Sequence, residues 1–409
     1  MAELERGMMR LLLMLAIFLP LGHCVDPRYL PLQSPGLYER DGLIERYFML
    51  GFDYIEIVAF LALGHGIFLS LRQLKRILRQ RSLRRRGRPS DGWDVLAAVE
   101  NELNGSGSSV GYRLMHQRLR IDYHLQVDRE TVRLVLKALD PEGVEARSKR
   151  KLRRRKYRSK GPDFIWHIDG YDKLKPFGFC IHGAIDGYSR RILWLKVSFS
   201  NNDPWIIASY YLEYIRLHAR TSTIIRGDRG TENAFVARIQ RHLRENHNDA
   251  FASDKSFLYG RSVSNQRIEA WWSFLHLRDQ GLYSDDDPVQ VECLKFCFMP
   301  LIQGELDRVT QHWNLHKIRL SSNEESPSGR PDVLYFLPEL SGSSSRGQDI
   351  NMDDIEDIQD MLNMHAHRLS LRSADFAELA GLIMDDERLS MPETVEEALD
   401  LYTLLVSLL

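Results

Sequence analysis

Apolar residues recur every three or four positions between residues 41 and 139, and the pattern turns to alternation after residue 161. The first regime predicts amphipathic helices, the second strands. Leu43, Ile44, Tyr47, Phe48 and Leu50, then Tyr54, Ile57, Val58, Phe60 and Leu61, form helical stripes that break at Gly64, His65 and Gly66. Ser70 is placed to cap a following helix over 71–80 by accepting from its first free amides. Leu71, Leu74, Ile77 and Leu78 are expected to face inward, with Arg72, Gln73, Lys75, Arg76 and Arg79 outward. Helix, glycine turn and basic helix follow the helix-turn-helix plan, in which the second helix enters the major groove. Residues 41–90 are read as one such unit, with Arg84, Arg85, Arg86 and Arg88 suited to phosphate. Residues 91–146 are read as a second: helices over 93–103 and 111–119, then one over 129–139 capped by Asp128 and ended by Pro141. A plain bundle with solvated cationic faces is the alternative for both.

Strand-like alternation begins at 164–169, a run ending in Asp169, and continues at 179–185 and 190–198. Short turns between these runs, one opened by Asp186, predict an antiparallel meander. Asp203 and Pro204 then start a helix reaching about residue 219. A fourth strand at 223–226 leads to Asp228, a helix follows to about 246, and 256–259 is a short fifth strand. The stretch 262–273 reads as a helix capped by Ser262 or Ser264, with Ile268, Trp271, Trp272 and Leu275 at helical spacing and Glu269 well inside it. This order predicts an α/β fold of RNase H-like type, a mixed five-stranded sheet flanked by helices, at residues 161–335. All-α units precede it, and an acidic, helical or loosely ordered tail at 336–409 follows.

Charge changes this picture more than composition does. The 409 residues are 44% hydrophobic and 27% charged, which is ordinary for globular domains. The net charge of −1 hides a division. From 339 to 409 there are 16 Asp and Glu against 4 Arg, so the tail is strongly acidic and the remainder basic. A basic body calls for a polyanionic partner. Residues 147–160 hold ten basic residues in fourteen, a linker suited to tracking phosphates or to nuclear localisation, with Arg153, Arg154, Arg155 and Lys156 at its centre. For the tail, the readings are a loosely ordered segment, a protein-interaction segment, or a DNA mimic lying in the basic groove. The four cysteines form no disulfide framework, and Cys293 and Cys297 fit one buried helix face. Residues 1–40 run against this: Arg10 precedes an eleven-residue apolar run ending at Leu21, which has the form of a secretory signal. Nuclear residence is expected from the body, with the secretory pathway the alternative if residues 1–24 act as that signal.

Three acids fall at particular places. Asp169 and Asp228 end the first and fourth strands, which are neighbours in this layout, and Glu269 lies on the later helix. Carboxylate oxygens at neighbouring strand ends suit Mg²⁺ or Mn²⁺, and a two-metal site can drive an in-line phosphoryl displacement. Asp172 and Asp186 are expected to be structural, and His167 to be packed or hydrogen-bonded.

The segments Trp166-His167-Ile168-Asp169, Ile185 to Arg190, Gly227 to Asn233, and Asn265-Gln266-Arg267-Ile268-Glu269 together resemble the catalytic core of the retroviral-integrase and DDE-transposase superfamily. The 58 residues between Asp169 and Asp228 fit that pattern; the 40 between Asp228 and Glu269 are slightly more than is usual in retroviral integrases. The resemblance implies Asp169, Asp228 and Glu269 as catalytic metal ligands, and Asn233, Asn265 and Gln266 as substrate-positioning residues. It implies metal-dependent cleavage of DNA ends, strand transfer, and at least a dimer. The whole layout looks most like integrase-core proteins of animal genomes related to transposons. Trp313 to Arg319, with Gly329, Arg330 and Pro331, resembles the end of the core, where basic residues face DNA. No His/Cys zinc segment precedes the core, so the helical units would read the DNA. Trp271 and Trp272 are expected to pack, with base stacking the alternative. No small-molecule cofactor and no membrane association are called for. The competing function is a catalytically silent DNA-binding or scaffolding protein descended from such an enzyme.

Overall fold

The computed structural model describes residues 39–409 except 86, 106, 109, 150–156, 158, 176–177, 261–287 and 321–326; for 149, 288 and 363–375 only the backbone is described. The signal-like segment, Arg153 to Lys156, Asn265, Gln266, Glu269, Trp271 and Trp272 lie outside the described residues.

Three helices open the described chain: α1 (Arg40–Met49), α2 (Tyr54–His65) and α3 (Leu71–Gln80). Gly51 at φ +85° separates the first two, and Gly66, at φ +65°, closes the second in the left-handed conformation glycine tolerates. Ser70 and Gln73 cap each other reciprocally, Gln73 N donating to Ser70 Oγ at 3.2 Å and Ser70 N to Gln73 Oε1 at 2.8 Å. Leu74, Ile77 and Leu78 are buried as expected, but Leu71 is 41% exposed. Its place in the first helical turn leaves no preceding turn to cover it.

The next helices are α4 (Gly92–Asn104), α5 (Tyr112–Ile121) and α6 (Arg129–Leu139), enclosing Val95, Val99, Met115, Leu119, Val132 and Leu136. Asp91 and Asp128 cap two of them. Pro141 does more than stop α6. It is the first residue of α7 (Pro141–Lys149), because a proline at that position forfeits no helical hydrogen bond. The basic run therefore starts inside a helix.

The sheet has order β3-β2-β1-β5-β6: β1 (Ile165–Tyr171), β2 (Cys180–Asp186) and β3 (Ile192–Ser198) form the antiparallel meander. The strands β5 (Ile224–Gly227) and β6 (Phe257–Tyr259) add in parallel. This is the expected mixed five-stranded, RNase H-like sheet. On one face α8 (Pro204–His218) and α9 (Ala234–Leu243) bury Trp166, Ile168, Trp194 and Ile225. On the other, the long α10 (Pro288–Leu315) covers Tyr171, Ile181, Ile185, Leu195 and Val197.

Two side-chain amides of α10 close the β3 edge. Gln303 accepts from Val197 N and donates to Leu195 O, both at 3.0 Å. Asn314 accepts from Ile192 N at 2.8 Å and donates to Ile192 O at 3.1 Å. A carboxamide carries one acceptor and one donor in the same sense as a peptide group, so each stands in for a residue of a neighbouring strand.

The helical units dock on the end of this core. The buried Glu102 holds Arg118 at 2.6 Å and also pairs with Arg308 of α10, which reaches Asp122 at 2.8 Å. His312 completes the cluster at 2.9 Å from Asp122. The first unit shares its apolar core with Leu315 and, at the short α11 (Pro331–Phe336) and just after it, with Val333 and Leu337. Arg330, expected to face DNA, instead donates to Gly51 O at 2.7 Å, to Leu315 O and to Glu56 at 3.1 Å. It is half-buried in this interface, where three acceptors satisfy its guanidinium.

The tail is packed rather than loose. The short β7 (Gln348–Asp349) pairs with β4 (Arg220–Thr221), and Arg346 N donates to Pro162 O at 2.8 Å. Ile355, Ile358 and Leu362 of α12 (Met352–Asp386) join the sheet core beside α8. Ala398, Leu401 and Leu405 of α13 (Val395–Leu408) enclose Cys293 and Cys297, which are fully buried as expected. Among the described residues, no helix is long and apolar enough to cross a membrane.

Truncating Asn314 to alanine strands a donor and an acceptor on Ile192 in a buried setting. Each group left unsatisfied costs about 1–3 kcal/mol. We expect Asn314→Ala to lower the urea midpoint at unchanged slope, by a stability loss of about 2–4 kcal/mol; an unaltered midpoint would mean that water reaches this edge.

Candidate metal and catalytic site

Backbone register builds the site. β1 and β5 pair in parallel, with Ile165 opposite Ile224, Trp166 opposite Ile225 and His167 opposite Arg226. Extended two residues past its last pair, that register would bring Asp169 level with Asp228, on strands whose neighbours lie about 4.8 Å apart. Alternation puts Asp169 on the face of His167 and Tyr171, away from Trp166 and Ile168. Asp228 follows Gly227, the last residue of β5, at which a Cβ would point toward Ile168 and Asn233. Asp169 does not end its strand as expected, since β1 runs two residues further. It is partly buried and Gly170 beside it is exposed.

The loop after β5 turns back on Asp228. Asp228 Oδ1 accepts from Gly230 N at 3.2 Å and from Asn233 Nδ2 at 2.8 Å. Asn233 Nδ2 also donates to Glu232 Oε1 at 3.1 Å, so one amide draws two carboxylates together. Asn233 is buried, and its amide is spent on these acids. It orients Asp228. Gly227 permits this, because a Cβ there would lie 3.3 Å from the Asn233 carboxamide and from Ile168. Burial raises the Glu232 pKa, and the Asp228 and Asp172 carboxylates push it the same way.

Sequence reasoning assigned Glu232 no role. The available signal was an acid one helical turn after Asp228 and next to an asparagine. Asp172 lies in the loop after β1, bound by Asn201 Nδ2 at 2.9 Å and 3.8 Å from Lys175, the structural setting expected of it. The buried Asn201 also holds Ile181 O at 2.9 Å and so ties this loop to β2.

Asp186 belongs to the opposite end of the sheet, opposite Trp166. It is buried and accepts from Asp163 N at 2.8 Å, Ser189 N at 2.7 Å and Tyr188 N at 3.1 Å. Burial, with Asp163 nearby, pushes its pKa up to about 7. Asp163 is itself engaged by Trp166 Nε1 at 3.0 Å and Tyr335 Oη at 2.6 Å. Both acids therefore organise the sheet's lower end. His167 is fully buried and meets the Tyr157 hydroxyl at 2.6 Å, so it is a hydrogen-bonded core histidine.

Among the described residues no three His, Cys, Asp or Glu side chains converge as a complete metal cage. Asp228, Glu232 within the same hydrogen-bond set, and the buried, unpartnered Oδ1 of Asn233 offer oxygen donors only. Such donors fit a hard divalent cation. The cations of α3, Arg72, Lys75, Arg76 and Arg79, are all exposed.

Residues 156–330 match the family described as integrase core domain. The match spans the sheet, α8 to α10 and both aspartates, and leaves out α1 to α7 and the tail. No curated protein matches the chain.

Asn233→Ala should weaken Mn²⁺ affinity about tenfold or more by releasing Asp228, read by calorimetric titration, with thermal stability changed less. Asp186→Ala should do the reverse, unfolding earlier with Mn²⁺ affinity kept; equal metal affinity in Asn233→Ala and the unaltered protein would remove Asn233 from the site.

Proposed function

We propose, from the match of residues 156–330 to the integrase core domain family, that the protein is a metal-dependent DNA strand-transferase of the integrase/transposase superfamily. The observation that supports the reading is the parallel register of β1 on β5, which, carried two residues past its last pair, would bring Asp169 level with Asp228. Integrase cores usually work with divalent metals, and Asp169 and Asp228, with Glu269 from the following segment, are the residues that would hold them. A bound pair would lower the pKa of an attacking oxygen and neutralise the leaving one.

The rest falls to the chain itself. Asp169 and Asp228 present oxygen ligands from a rigid sheet, and Asn233 fixes the direction of one of them. In cleavage, a water oxygen bonds to phosphorus at a DNA end as the bond to the departing strand's oxygen breaks, and that oxygen takes up a proton. In transfer, the freed 3′-hydroxyl replaces water as nucleophile on a second phosphodiester. The total number of phosphodiester bonds is unchanged in that step.

DNA engagement is assigned to the two helical units and the basic run. Arg72, Lys75, Arg76 and Arg79 on α3 supply cations on a face with no competing acid of its own, and Arg153, Arg154, Arg155 and Lys156 would follow the backbone. Asn265 and Gln266 remain candidates for substrate positioning. Work on two DNA ends calls for at least two copies, and a nuclear site of action follows from this substrate; localisation of the tagged full chain checks it.

We expect the full-length protein with Mn²⁺ to join labelled duplex ends to a plasmid, and Asp228→Asn to lose the product by at least a hundredfold on the scale of a removed essential group. Equal product from both would leave the silent, DNA-binding reading in place. Replacing Arg72, Arg76 and Arg79 together by alanine should weaken DNA binding and flatten its logarithmic salt dependence by about two to three; an unchanged slope would take α3 off the DNA.

A further inference from the structure

The turn between α2 and α3 exposes an aromatic ring that the fold makes no use of. Phe68 is 80% exposed, and Leu71, three residues on, is 41% exposed. Their neighbours Ile67 and Leu69 are partly buried and pack on the core of the first unit. Alternation along this short extended segment therefore directs Phe68 outward.

The turn is rigid. Gly66 N donates to Ala62 O at 3.2 Å and Ile67 N to Leu61 O at 2.7 Å, closing α2, while the Ser70–Gln73 pair closes the start of α3. Phe68 is thus held in place at the entrance of the basic helix.

The surroundings select the partner. From 66 to 90 the chain carries nine Lys and Arg and no Asp or Glu. Arg81 pairs with Glu45 at 2.9 Å, and Arg85 is held by the carbonyls of Phe48 and Phe52. Arg72, Arg76 and Arg79 are exposed and make no ion pair among the described residues. An apolar tip at the start of a helix with exposed guanidinium groups suits a polyanion that also offers an apolar feature. In the major groove of DNA that feature is the C5-methyl of thymine, the one apolar group on any base edge there.

We propose that Phe68 and Leu71 form a reading tip that contacts thymine methyl groups in the major groove, giving the first helical unit a preference for T beneath the start of α3. The inference rests on the DNA-binding reading above and goes further by naming the base and the atoms that read it. A Phe contact is indifferent to salt, whereas the arginines beside it are not.

The test uses the full chain and a duplex that it selects from a randomised library. Each selected thymine is then replaced by deoxyuridine, which removes the methyl group and nothing else. We expect one or two positions where this weakens binding about three- to fivefold, the scale of one lost apolar carbon. Phe68→Ser, at a position exposed enough to leave the fold intact, should bind T and U duplexes alike and keep the salt slope of the unaltered protein; Phe68→Leu should retain part of the discrimination. Equal binding of T and U duplexes by the unaltered protein, or a Phe68→Ser protein that still discriminates, overturns the proposal while DNA binding stands. Failure to retain any duplex at low salt overturns both.

Discussion

The pairing of β1 on β5 is the constraint on which the candidate site depends. It is a parallel pairing, so it cannot be made by a short turn; α8 must cross the sheet between its strands. Its register has a stringent consequence, because a slip of one residue moves every side chain of a strand to the other face. Ile225 and Ile168 fill the core on one face, and by alternation this apolar requirement turns Asp169 to the other. Packing on one side of the sheet thus sets the geometry of charge on the other.

A second organising element is α10. Along one helix, Cys293 and Cys297 face the tail, Leu306 faces the sheet, Gln303 and Asn314 face the β3 edge, and Arg308 and His312 face the second helical unit. The Glu102, Arg118, Arg308 and Asp122 cluster is the most polar of these interfaces. Removing one partner from a buried pair of this kind costs about 3–5 kcal/mol, because the remaining charge is left without compensation. Such a cluster fixes orientation strongly: sliding the second helical unit along α10 by one turn would part Glu102 and Asp122 from Arg308.

The features legible in the sequence were those with local causes. Ser70, Asp128 and Asp203 begin helices where side-chain oxygens meet free amides two or three residues on. The meander and its acids were legible because alternation and turn residues are short-range signals. What escaped had distant partners. Arg330 read as a cation for DNA, yet its acceptors Gly51 and Glu56 lie in a helical unit far back in the chain. The tail's apolar residues are sparse, and nothing near them announces that Cys293 and Cys297 wait about a hundred residues upstream. Leu71 fitted the helical stripe by spacing alone, but a first-turn position has no earlier turn above it. Glu232 went unread because its value comes from the folded loop that brings it to the Asn233 amide.

The amides of Gln303 and Asn314 have a consequence outside the fold. The flank of an open sheet is a template: its unspent N–H and C=O groups recruit any extended chain nearby, and this is a common route to aggregation. At β3, Leu195 O, Val197 N and both backbone groups of Ile192 are already engaged by the protein's own helix. Strand recruitment at these points, whether by a neighbouring copy or by an unfolded chain, would have to displace that helix. Any association of two copies through this side would have to be made by helical surfaces, leaving the sheet undisturbed as partners come and go.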